Sequence, residues 1–223
     1  MNFKILDLGL IDYKSAWEIQ GQLFQQVKDR RLNAAFLICS HYPVITLGRQ
    51  ADKRDVLVSK EKLHSEGIGI YEAERGGGVT YHGPGQLTAY PIFNLGLLKK
   101  DIRWFLRGLE GVIIGLLSEF AVGAHARPGL AGVWVDKFKI ASIGIAIKNW
   151  ISFHGLSINI RKNDLINFGF IRPCGMDINM AALENFCDSG VDLSRIKESL
   201  ITRLREFYFL NYRPFKETEV IYA

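Results

Sequence analysis

Cysteine is scarce in this chain: three residues, Cys39, Cys174 and Cys187, with no CxxC spacing among them. An odd, unpaired set excludes a disulfide framework and a structural zinc site, and neither a metal nor another cofactor is expected. Long apolar runs are missing as well. The stretch 112–117 around Gly115 is far shorter than the about 20 residues that cross a bilayer. Near the N-terminus, Asp7 and Asp12 interrupt the apolar run that follows Lys4, a pattern unlike that of a signal peptide. A cytoplasmic protein with no membrane partner is the expectation. No long basic tract or RNA-binding motif occurs, so nucleic acid is not an expected partner. There is no linker, low-complexity tract or repeat.

What is present is ordinary in composition. The 223 residues are 48% hydrophobic and 23% charged, with a formal charge of +5. Length and composition fit one domain over residues 1–223, with a monomer as the default. The basic balance reads either as a solvated surface or as a docking face for an acidic partner.

Along the chain, Asp12 is a good N-cap for a helix whose Tyr13, Ala16, Trp17, Leu23, Phe24 and Val27 share one face. Residues 34–39 and 44–47 read as buried strands, with a turn at His41-Tyr42-Pro43. Strand-like stretches at 68–71 and 87–95 flank a glycine-rich segment. A second helix is expected over about 101–120, placing Phe105, Leu109, Val112, Ile113, Leu116 and Phe120 on one side. Three strands follow at 131–135, 139–147 and 152–160, rich in β-branched residues. A short helix at 164–168 and a last helix at about 193–207, presenting Ile196, Leu200, Leu204 and Phe207, complete the pattern. Interspersed helices and strands without strict alternation predict an α+β fold with a mixed, largely antiparallel sheet packed by helices.

The segment 75–86, RGGGVTYHGPGQ, holds five glycines and one proline. Such a stretch lets other atoms approach the backbone and aims N–H groups at an acceptor. It ends in no GK[ST] and lacks GxGxxG, so it is neither a Walker loop nor a dinucleotide fingerprint. Arg, Tyr, His and Gln among the glycines point to a binding loop rather than a plain turn. His82 reads as a residue that shapes the site.

Cys174 leads as a candidate nucleophile. Pro173 fixes the entering chain and Gly175 permits an unusual exit, which presents a thiol on a tight turn. Cys39, within FLICS, reads as a buried strand residue, and Cys187 has no special setting. A thiol needs a proton partner at neutral pH, and His82, His154 or a lysine can serve. Lys139 opens the apolar run KIASIGIAI, and its residue type alone reads as a snorkelling strand end.

Five motifs in order, RGGGVTYHGPGQL, GVWV…KIASIG, FHGLSIN, a DL pair and RPCG, resemble those of the lipoyl(octanoyl) transferases. HYPVITLGR and YPIFNL add to the likeness, which covers about residues 34–180. The resemblance implies a biotin/lipoate-ligase-like fold and transfer of an octanoyl group from acyl carrier protein to a lysine of lipoyl domains. Those acceptors are the lipoyl domains of 2-oxoacid dehydrogenase complexes and glycine cleavage H protein. It assigns Cys174 as the acyl-thioester nucleophile and Lys139 as its proton partner. It assigns substrate contacts to Arg75, Gly76, Gly77, Gly78, Val79, Thr80, Tyr81 and His82, to Ser142, Ile143 and Gly144, and to Gly155, Leu156 and Ser157. Backbone N–H groups of Gly76–Gly78 or Gly175 are candidates for holding the oxyanion, and the apolar strands for an acyl tunnel. Departures are small: Ser40 replaces a frequent acidic residue, Ala131 a frequent threonine, and the third glycine, Gly78, is shared with lipoate-protein ligases. The competing readings are an ATP-dependent lipoate or biotin ligase on the same fold and a non-catalytic lipoyl-domain-binding protein.

Overall fold

The computed structural model describes residues 2–176, 178–187, 190–212 and 220–222. The side chains of Cys174 and of residues 220–222 lie outside that description.

The chain opens with strand β1 (Phe3–Ile11), helix α1 (Tyr13–Lys28), β2 (Ala34–His41) and β3 (Val44–Leu47). Helix α2 (Lys60–Ser65), β4 (Gly69–Glu72), β5 (Val79–His82), β6 (Gln86–Phe93) and α3 (Ile102–Ser118) follow. The remainder holds β7 (His125–Arg127), β8 (Leu130–Val135), β9 (Phe138–Lys148), β10 (Ile151–Asn159), α4 (Leu193–Asn211) and β11 (Val220–Tyr222). The described strands form an eight-stranded sheet, ordered β11-β1-β2-β6-β10-β9-β8-β7, and a three-stranded sheet, β4-β3-β5. Pairing in the large sheet is antiparallel except at β11-β1 and β1-β2.

Helices cover both faces of the large sheet. On one, Phe36, Ile38, Leu87 and Phe93 meet Phe105, Leu109, Ile113 and Leu116 of α3 and Ile196, Leu200, Leu204 and Tyr208 of α4. On the other, Leu37, Cys39, Tyr90 and Ile92 meet Ala16, Leu23 and Val27 of α1. This explains why β2 reads as an uninterrupted apolar run: a strand buried on both faces has no polar alternation. Each long helix starts at an aspartate expected to cap it or standing in that position. Asp12 accepts from the Ser15 amide, Asp101 from the Trp104 amide and Asp192 from the Ser194 amide.

The small sheet has its own core of Ile45, Leu47, Leu63, Ile68, Val79, Tyr81 and Phe168. Two sequence expectations change here. His41 belongs to the end of β2 rather than to a turn, fully buried with its Nδ1 3.1 Å from the Ile11 carbonyl. A third of the glycine-rich segment is not loop but strand β5, antiparallel to β3. Val79 and Tyr81 alternate into the small-sheet core, and that burial outweighs the flexibility of the neighbouring glycines.

The two sheets are joined by residues 75–78. The Gly48, Arg49 and Gln50 amides donate to the carbonyls of Gly78, Arg75 and Gly77 at 3.1, 3.0 and 3.1 Å. From the same segment the Gly76 amide donates to Ile145 of β9 at 2.9 Å. The seam closes because no Cβ stands in it. A Cβ on Gly48 would overlap the Gly77 carbonyl oxygen, and one on Gly144 would come within 3.0 Å of the Gly76 carbonyl oxygen.

Gly48→Ala is therefore expected to destabilise the protein by about 1–3 kcal/mol, through overpacking against backbone. Gly111→Ala, on the exposed side of α3 with nothing near its Cβ position, should stabilise by about 0.5–1 kcal/mol. Urea unfolding midpoints at constant m-value check both signs.

Candidate functional site

The seam forms one wall of a cavity of about 490 Å³, within the range of small-ligand sites. That wall is Arg75–Thr80 with His82. The opposite side is strand surface: Ser142, Ile143, Gly144 and Ile145 of β9, and His154, Gly155, Leu156 and Ser157 of β10. Ile102 and Leu106 of α3 and Leu130 of β8 add apolar surface, while Tyr13, Thr88 and Tyr90 add polar atoms. Lys139, Pro173 and Met176 also line it.

Lys139 is only 4% exposed, so it does not snorkel. Its ammonium lies 5.6 Å from the centroid of the Trp134 ring, a favourable cation–π arrangement. The side chain fits because residue 132 is glycine. A Cβ there would overlap the Ala141 carbonyl oxygen and come within 2.6 Å of Lys139 Cε, and the φ of +132° is one that other residues rarely adopt. The Lys139 backbone is held on both sides by the segment after the RPCG motif. Its amide donates to Asn179 at 2.9 Å, and its carbonyl accepts from Ala181 at 3.0 Å.

RPCG forms a 3-10 turn over Pro173–Gly175, with proline at the first position and Gly175 at φ +67°. The Gly175 amide donates to the Arg172 carbonyl. The Cys174 side chain is outside the described residues, but Pro173 and Met176 on either side of it both line the cavity. Cys39 is fully buried in β2, and burial pushes its thiol up to about 12, which keeps it protonated.

Arg75 is 7% exposed; its guanidinium donates to Thr46 Oγ1 and to the Thr46 carbonyl, so it binds the small sheet as well as lining the cavity. His41, His82 and His154 are all buried. Burial drives His41 down to about 4 and His82 to about 3, and in His82 the charges of His41 and Arg75 add to the effect. His154 is held at about 4 by burial, against the pull of Glu74, whose carboxylate lies 3.4 Å from its Nε2. At neutral pH all three are uncharged. The DL pair has a structural role: Asp164 accepts the Gly85 amide and so holds the turn between β5 and β6.

Among the residues expected from sequence, Lys139, Arg75–Thr80, His82, Ser142–Gly144 and Gly155–Ser157 meet around this one cavity. Tyr81 does not. It points to the opposite side of β5, packs on Phe168 and hydrogen-bonds Asn167. Two oxyanion candidates are also corrected, because the Gly76 and Gly175 amides are committed to the Ile145 and Arg172 carbonyls. Gly77, which donates only to the Gln50 side chain, and Gly78 remain. Tyr13, Thr88 and Tyr90 line the site without having been singled out from sequence. The only available signal was that the alternation of Thr88 and Tyr90 in β6 breaks an otherwise apolar strand. Among the described residues no cluster of His, Cys, Asp and Glu is placed to hold a metal, and no helix is long and apolar enough to cross a membrane.

Residues 12–205 match the model of the lipoyl protein ligase A/B catalytic domain. The octanoyltransferase of Caldicellulosiruptor saccharolyticus is 40% identical over 199 residues, 88% of this chain and 84% of that protein. Two solved structures share the fold. One is a bi-partite lipoate protein ligase from Thermoplasma acidophilum, with a TM-score of 0.72 at 17% identity, covering 98% of this chain and 88% of that one. The other is the biotin protein ligase of Aquifex aeolicus, with a TM-score of 0.52 at 11% identity, covering 94% and 70%.

The three buried histidines predict an acid-sensitive fold. Unfolded, they titrate near 6.5; folded, they resist protonation until about pH 4 or below. Their contribution is full above about pH 6.5 and is lost as pH falls towards about 4, because the unfolded chain then binds more protons. Urea midpoints should decline from about pH 7 to about pH 5, and His82→Gln should make the decline shallower. A flat profile would contradict the assignment.

Proposed function

The chain belongs to the lipoyl protein ligase A/B catalytic-domain family and, within it, to the octanoyltransferases; on that premise we propose that it moves an octanoyl group through a thioester on Cys174, with Lys139 as proton carrier. The donor is octanoyl-acyl carrier protein and the acceptor a lysine of a lipoyl domain, in 2-oxoacid dehydrogenase complexes or glycine cleavage H protein. The single observation that carries this reading is a buried lysine in the wall of a largely apolar cavity, backbone-bonded to the segment that follows the PCG turn.

In the first half-reaction the Cys174 thiolate, favoured by the Lys139 ammonium, attacks the thioester carbonyl carbon. The carrier's sulfur leaves and takes a proton from Lys139. The products are octanoyl-Cys174, neutral Lys139 and the free carrier thiol. In the second, the neutral amine of the target lysine attacks the same carbonyl carbon. The Cys174 thiolate leaves, and Lys139 takes the proton released as the amide forms, which restores the starting pair. Replacing a thioester by an amide is downhill, so no ATP is consumed. Gly77 and Gly78 are the backbone groups available to the oxyanion. The apolar wall of Ile102, Leu106, Leu130, Ile143 and Leu156 receives the acyl chain, whose burial contributes about 0.8 kcal/mol per methylene. The +5 charge speeds encounter with an acidic carrier.

Incubation with octanoyl-carrier protein, without ATP, should add one octanoyl mass to the wild type and none to Cys174→Ala. Strict dependence of transfer on ATP would establish the ligase reading instead. Lys139→Ala should lose both loading and transfer, whereas His82→Ala should mainly raise KM; the reverse pattern would identify the wrong partner. Gly132→Ala, whose Cβ would crowd Lys139 Cε and overlap the Ala141 carbonyl oxygen, should lower kcat by about 100-fold, measured as steady-state transfer, and lower the urea midpoint as well.

A further inference from the structure

His82 lies on the cavity wall, and its neighbours decide which ring nitrogen carries the proton. Two backbone carbonyls settle the matter, because a carbonyl oxygen can only accept. Asn159 approaches the Ala181 carbonyl at 2.9 Å, so its NH2 group is at that end and its Oδ1 faces Gln86. Gln86 approaches the Tyr81 carbonyl at 3.1 Å and Asn159 Oδ1 at 3.0 Å. Both are acceptors, so this end of Gln86 is its NH2 group, with both hydrogens used. Its Oε1 then faces His82 Nδ1 at 3.1 Å and requires a donor there. Nδ1 carries the proton, and in the uncharged ring Nε2 is left bare. Among the described residues Nε2 has no hydrogen-bond partner.

Gln86 and Asn159 are each 2% exposed, so water does not compete for these bonds. At its far end the chain of bonds reaches the segment that holds Lys139, since the Ala181 amide donates to the Lys139 carbonyl. A parallel assignment holds next door. His41 Nδ1 donates to Ile11, so its Nε2 accepts the Tyr90 hydroxyl hydrogen at 2.6 Å. Tyr90, which also lines the cavity, keeps only lone pairs for a ligand.

We propose that Gln86 and Asn159 are positioning residues that hold His82 in its Nδ1–H tautomer, so that Nε2 is a fixed acceptor for an N–H or O–H donor of the bound substrate. This rests on the reading of the cavity as the octanoyl-transfer site. The octanoyl chain itself carries no such hydrogen. The donor belongs either to the amide- and hydroxyl-bearing arm that delivers the chain or to the amine of the target lysine.

Nitrogen-15 NMR of the full-length protein, with the His82 signals assigned by their loss in His82→Gln, reads the tautomer directly and needs no activity. At neutral pH the wild type should show a protonated Nδ1 and an unprotonated Nε2. An Nε2–H tautomer or an imidazolium would overturn the proposal, and this holds even where a variant fails to fold. Gln86→Leu should shift the population towards Nε2–H and raise KM on the order of tenfold, the effect of one hydrogen bond. An unchanged tautomer in Gln86→Leu would remove Gln86 from the role. Measuring KM separately for octanoyl-carrier protein and for the lipoyl domain identifies the donor; a tautomer shift with neither KM altered would overturn the acceptor role. Absence of any octanoyl transfer by the wild type would instead refute the functional reading and leave the tautomer result standing.

Discussion

The approach of residues 75–78 to both sheets at once is the constraint on which the rest depends. Three amides of 48–50 and one amide of the segment itself hydrogen-bond across the seam, and the separation is possible only where Gly48 and Gly144 carry no side chain. With the seam closed, Arg75 reaches back to Thr46, β5 runs along the cavity edge, and β9 and β10 face it. The glycines of the segment therefore serve assembly first, and offer N–H groups to a ligand only where those groups are not already used.

A second consequence concerns charge. The interior near the cavity holds three histidines, two tyrosines and an arginine, yet the histidines are uncharged, and the hydrogens of His41 and His82 are assigned by fixed carbonyls. Burial keeps all three imidazoles neutral at neutral pH. That leaves the proton traffic of the proposed reaction to Lys139, which sits apart from the histidines on the edge of β9, in the space left by Gly132. The static polar wall follows from burial and from hydrogen-bond direction together; the proton-carrying role of Lys139 belongs to the proposed reaction.

Much of this was legible in the residues. Periodicity placed α1, α3 and α4, with Asp12 as the cap of α1, and apolar runs placed β2, β3, β8, β9 and β10 within a few residues. Cys174 was singled out from Pro173 and Gly175, and Lys139 only from the ordered motifs, because a lysine at the start of an apolar strand looks like any strand end. What makes it different is Gly132, seven residues away, and no local pattern links the two. Strand β5 was hidden because glycine content masks the Val79/Tyr81 alternation. The side on which Tyr81 falls depends on the β3–β5 register, a tertiary fact. The amides of Gly76 and Gly175 likewise looked available until their carbonyl partners, distant or turn-bound, were in view.

The central claim is that the octanoyl group rests on the protein between donor and acceptor. Steady-state kinetics with both substrates varied tests it most directly. A covalent intermediate requires that the carrier leave before the acceptor binds productively, so double-reciprocal plots at different acceptor concentrations should be parallel. Lines that intersect, as for direct transfer within a ternary complex, would contradict the account.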